Sequence, residues 1–177
     1  TEGRMAFEKQ LDIMCAGAFS VSNDSDLKWV YFLDGLKDGD NNIAALIRCN
    51  DMLRQTFADS EHYQNYSVIM KNELIFRKSG MVVGDKFFYD NYCTYQNTDF
   101  ETWRKQSFEA DTWQLFPLEE IDTGEETLQA MTFSYPVRNY IQQEQEANAV
   151  VQFLLSKENL EQMFGQLLSR QGGILIY

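Results

Sequence analysis

Apolar residues recur at three- and four-residue spacing early in the chain and at alternating or continuous positions later, so helices are expected first and strands afterwards. Phe7, Leu11, Met14 and Ala18 form one stripe of a helix from about residue 2 to 19. SVSNDSD interrupts it, because Ser, Asn and Asp side chains compete for backbone hydrogen bonds, and a short amphipathic piece, LKWVYFLDGL, follows. The DGDNN cluster offers caps for a second helix over about 40–58, in which Ile43, Leu46, Ile47, Leu53 and Phe57 share a face.

From Tyr66 the period changes. YSVIMKNELIFRK reads as two strands joined at Lys71-Asn72-Glu73, and the strand-like character continues irregularly through MVVGDKFFYDNY. Residues 99–108 read as a helix capped by Asp99, and 119–126, EEIDTGEE, as an acidic loop. LQAMTFSYPV reads as a strand stopped at Pro136, which cannot donate to a ladder. ANAVVQFLL is a nearly continuous apolar strand, Ser156 caps a helix whose Leu160, Met163, Phe164, Leu167 and Leu168 form one face, and GGILIY reads as a closing strand that pairs with ANAVVQFLL.

Helices first, strands concentrated later and hairpin-length links between them predict an α+β fold, with an antiparallel sheet of about five strands packed against long N-terminal helices. The 177 residues suit one domain, with a helical entry over 1–60 and a sheet-containing core over 61–177. A hydrophobic content of 44% excludes disorder. A net charge of −12 repels nucleic acid and anionic membranes, and the richest basic run is only Arg77-Lys78. No apolar run reaches the roughly 18 residues that span a bilayer. Thr1 in place of Met and the apolar ending lead to the expectation that both ends are cut from a longer, membrane-anchored protein.

The chemistry sought is mostly missing. Cys15, Cys49 and Cys93 are odd in number with no C-x-x-C spacing, and His62 is the only histidine, so neither a zinc site nor a catalytic triad is signalled. Asp38, Asp40 and Asn42 begin a calcium-loop pattern that fails at Ile43 and Cys49, where glycine and a bidentate glutamate belong. The glycines match no phosphate-binding fingerprint. No cofactor, no metal and no enzymatic activity are therefore expected. Aromatic density remains: Tyr89, Tyr92, Tyr95, Trp103, Trp113, Phe133 and Tyr135 cluster in the second half with Arg138 just after Pro136, a composition suited to a small-ligand pocket or to ordinary core packing.

The order of a helical entry, YSVIMKNELIF, TFSYPV, a polar turn, AVVQFLLSKENLEQMF and GGILIY resembles the Cache family of PAS-like extracytoplasmic sensors. It is similar in particular to the sensor regions of membrane-bound AraC-family transcriptional regulators and histidine kinases of Gram-positive bacteria. The resemblance implies a domain outside the cell membrane that binds a small molecule and signals through its helices. It places the pocket over the Phe133, Tyr135 and Arg138 side of the sheet, so that Trp113, Phe133, Tyr135, Arg138, Tyr92 and Tyr95 are expected at the ligand. The amino-acid-binding subgroup carries arginine followed two places later by Trp-Tyr, whereas Thr102-Trp103-Arg104-Lys105 stands here, which leaves the ligand class open. The competing expectation is a cytosolic PAS-like module without ligand that dimerises through its N-terminal helices; a homodimer by that route is compatible with either reading.

Overall fold

The structure is a computed structural model that describes residues 2–30, 39–58, 63, 65–138 and 146–164. The strands β1 (Asn65–Met70), β2 (Leu74–Arg77), β3 (Gly80–Val83), β4 (Thr94–Tyr95), β5 (Gln114–Asp122), β6 (Thr127–Val137) and β7 (Ala149–Ser156) build one sheet in the order β3-β2-β1-β7-β6-β5-β4. Every pairing is antiparallel. All residues of β7 are buried because it is the central strand and both of its faces are covered. That explains its unbroken apolar run better than alternation would.

Helices α1 (Glu2–Ser22), α2 (Ser25–Val30), α3 (Gly39–Phe57) and α6 (Lys157–Phe164) cover one face of the sheet, and α4 (Asp85–Tyr92) and α5 (Phe100–Glu109) cover the other. The first layer packs Met14, Ala18, Leu53 and Phe57 on Val68, Phe76, Phe133 and Phe153. The second packs Phe88, Tyr89, Trp103 and Phe108 on Ile69, Ile75, Val150 and Leu154. Strand alternation separates the two sets: odd residues of β6 and β7 face the N-terminal helices and even ones face α4 and α5. Gly3 of α1 sits so close to α6 that an added Cβ would stand 2.9 Å from the Phe164 ring and 3.0 Å from its Cα, so this contact accepts no side chain.

The α+β fold and the helices expected at 2–19, 40–58 and 99–108 are present, and Asp99 accepts from the Thr102 N–H at 2.8 Å as an N-cap should. Ser156 caps α6 through its hydroxyl, 3.2 Å from the Asn159 N–H. Four details differ. The described sheet has seven strands instead of about five. Residues 85–92 are the helix α4, since Gly84 at φ 95° turns the chain out of β3. The acidic stretch from 119 to 122 belongs to β5, where the inward carboxylate of Glu119 accepts from the Asn97 N–H and the Thr98 hydroxyl. Pro136 does not stop β6. The Val137 carbonyl accepts from the Asn148 N–H and so faces β7, which turns Pro136 toward the other side, beyond the end of β5 opposite Ser134. His62, Leu167, Leu168 and the closing 172–177 segment lie outside the described residues. β7, the partner expected for that segment, already has β1 and β6 along its two edges.

Candidate functional site

Register places Arg77 of β2 opposite Ser67 of β1, Ser67 opposite Gln152 of β7, and Gln152 opposite Ser134 of β6. Cross-strand partners share a face, so these four side chains form a polar row beneath α4 and α5, flanked by the apolar row of Ile75, Ile69 and Val150. A polar row inside a core is costly unless its hydrogen bonds are made. Part of it is satisfied: the Gln152 amide donates to Ser107 Oγ at 2.9 Å and to Ser134 Oγ at 3.3 Å. The carbonyl Oε1 of Gln152 finds no partner among the described residues, although the residue is only 2% exposed.

That end of the row opens into a cleft between β1, β2 and β7 below and α4 above, with Arg77, Ser67, Gln152, Tyr92, Cys93 and Thr123 among its walls. The enclosed part holds about 20 Å³, room for about one water molecule, within a solvent-connected space of about 380 Å³. Anything larger than water fits fully only if α4 or the β5–β6 turn moves. The Arg77 side chain is 14% exposed; its guanidinium carbon lies 3.9 Å from the centre of the Tyr92 ring, a cation–π contact that fixes its position. Its Nη2 stands 3.4 Å from Oε1 of Glu125 on the turn. A fixed guanidinium and an unpartnered carbonyl lining one cleft can hold an anion at one point and a hydrogen-bond donor at the other. Burial pushes the Cys93 thiol up to about 12 against the opposing effects of the Tyr95 hydrogen bond and Arg77, so it stays protonated near neutral pH and offers no thiolate.

The cover over this face is fastened at two further points. Arg104 of α5 bonds Asp85 of α4 at 2.8 Å and Glu146 at 2.9 Å, tying the two helices to the approach to β7. Arg138 donates through Nε to the Ala110 carbonyl at 3.0 Å and through Nη2 to the same oxygen at 2.6 Å, placing a cation at the C-terminal end of α5.

The structure distributes the six aromatic and arginine candidates over both faces. Tyr92 lines the cleft, and Tyr95 is buried under α4 with its hydroxyl 2.7 Å from Thr132 Oγ1. Phe133 and Tyr135 point to the N-terminal helices, and Trp113 stacks on Phe133 with ring centres 5.6 Å apart. Arg138 is at the end of α5. Sequence reading met Arg77 only as half of the Arg77-Lys78 basic run and passed over Ser67 and Gln152. The available signal was Gln152 itself, a lone amide inside the apolar run AVVQFLL.

No family model matches the chain, and no curated protein matches it. Among solved structures, the chain is similar to the periplasmic sensory domain of the Campylobacter jejuni chemoreceptor Tlp1, with a TM-score of 0.51 and 11% identity over 97% of this chain. It spans 62% of the length of that sensory domain. At this identity the likeness is one of fold, and it agrees with the α+β architecture described above. No helix among the described residues is long and apolar enough to cross a membrane.

Proposed function

We propose that this is the extracytoplasmic sensor domain of a membrane-anchored signalling protein, binding a small molecule in the cleft between α4 and strands β1, β2 and β7. The observation that carries the reading is the pairing of a fixed, nearly buried Arg77 with the unpartnered Gln152 carbonyl in one cleft. The fold likeness to a periplasmic sensory domain supports it. The sequence resemblance favours a parent of the AraC-family regulator or histidine kinase type from Gram-positive bacteria. Because so little space is enclosed, binding requires a displacement of the cover, and only a ligand with unequal affinity for the two arrangements can drive a signal.

A thermal-shift survey with small polar metabolites tests this. A ligand present at a hundred times its Kd raises stability by about 2.7 kcal/mol, which corresponds to roughly 5–10 °C in a domain of this size. The same compound gives no shift with Arg77→Gln. If no compound moves the melting temperature, the domain is an interaction module without ligand.

The sensor works as a homodimer through α1 in this reading. Met5, Ile13 and Phe19 are large apolar side chains exposed on that helix, at 68%, 46% and 62%. Sedimentation is expected to show a dimer that Met5→Asp combined with Phe19→Asp converts to a folded monomer with an unchanged circular dichroism spectrum. A wild-type monomer at high micromolar concentration contradicts this part.

A further inference from the structure

We propose that Arg77 is an exchange point between two carboxylates: that of Glu125, which it holds in this structure, and that of a small anionic ligand carrying its own hydrogen-bond donor. The inference rests on the cleft being the ligand site and adds the ligand's chemical class and an internal competitor for it.

The two ends of the Arg77–Glu125 contact are unequal. The Arg77 side chain is 14% exposed and stacked on Tyr92, whereas the Glu125 side chain is 69% exposed at the tip of the β5–β6 turn. Their single approach, 3.4 Å, is long for a charge-assisted hydrogen bond and lacks the paired geometry of a strong guanidinium–carboxylate contact. A long, single-point contact with its carboxylate exposed shifts an equilibrium by about fivefold at most. The guanidinium is thus fixed while its carboxylate is readily replaced.

Glu125 cannot serve the other end of the site, because an ionised carboxylate donates no hydrogen bond and the Gln152 carbonyl needs a donor. Arg77 and Gln152 lie two strand spacings apart across Ser67, roughly 10 Å between their backbones, and their side chains shorten the gap. A small carboxylate with a hydroxyl or N–H a few bonds away spans it. When such a ligand takes Arg77, Glu125 loses its contact with β2. The turn that carries it rests on the end of α4, where Gly124 meets the Asn91 carbonyl, so the exchange acts on the cover as well as on the ligand.

Lactate and propionate, which differ by one hydroxyl, serve as probes in chemical-shift titrations of the wild type, Glu125→Gln and Gln152→Leu. Lactate is expected to bind the wild type about two- to tenfold more tightly than propionate, a difference that Gln152→Leu removes. Glu125→Gln, a surface change that lowers stability by no more than about 1 kcal/mol, is expected to tighten both anions about two- to fivefold. Equal affinities for wild type and Glu125→Gln overturn the exchange. A preference for lactate that survives Gln152→Leu overturns the donor contact to Gln152, and with it the assigned ligand class. If neither anion binds any variant while a neutral metabolite raises the melting temperature, the anion assignment fails and the cleft stands. If nothing of either kind binds, both fail.

Discussion

Trp103→Ala is expected to lower stability by about 3–5 kcal/mol, and Trp103→Phe by less than about 2 kcal/mol. Trp103 is fully buried on α5 and touches three rings at once, with centres 6.2 Å from Phe88, 5.3 Å from Tyr89 and 6.0 Å from Phe100. It is the main apolar contact by which α5 grips α4, so alanine opens a cavity between the two covering helices. Its indole Nε1 is buried without a hydrogen-bond partner among the described residues. Phenylalanine removes that unmet donor along with some volume, and the two effects oppose each other. Thermal melts separate them: a drop of roughly 6–20 °C is expected for alanine and only a few degrees for phenylalanine. Equal losses would mean that the indole N–H is satisfied and that the packing described here is wrong.

Gly124→Ala is expected to cost about 2–4 kcal/mol, from backbone strain and a steric clash together. Gly124 has φ +77°, and a Cβ on it would lie 2.2 Å from the Asn91 carbonyl oxygen and 3.2 Å from the Tyr92 ring. A backbone oxygen at the end of a helix cannot step aside as the tip of a flexible side chain can. Gly80 is the internal control, with φ +134° and nothing within 4 Å of the added carbon. Gly80→Ala therefore loses only the strain, about 1–2 kcal/mol. The difference between the two, measured by denaturant titration, reports how tightly the β5–β6 turn is seated on α4. Identical losses would show that the turn does not rest there.

The parts of the fold legible in the sequence are those where one local signal dominates. The stripe of Phe7, Leu11, Met14 and Ala18, the Asp99 cap and the continuous run in β7 each announce their element without tertiary help. Elements were missed where tertiary partners override composition. β5 carries Pro117 and three acidic residues, and it is a strand because Phe116, Glu119 and Ile121 point inward and Glu119 is met by the loop at 97–98. α4 follows directly from a strand, and its helical spacing, Phe88, Tyr89 and Tyr92, is too short a signal beside the β-like run before it. The site was legible only in fragments. Aromatic density drew attention to Phe133 and Tyr135, which alternation places under the N-terminal helices. Arg77 and Gln152 are 75 positions apart in the chain and become neighbours only through the β2-β1-β7 register, which depends on long-range pairing.

Hydrogen exchange with and without the first compound found to raise the melting temperature tests the central claim most directly. Protection is expected to rise at residues 65–67, 88–93 and 152–154 and to change at the 123–126 turn, the segments that border the cleft. Protection confined to the outward side of α1, with those segments unchanged, would contradict a ligand site beneath α4.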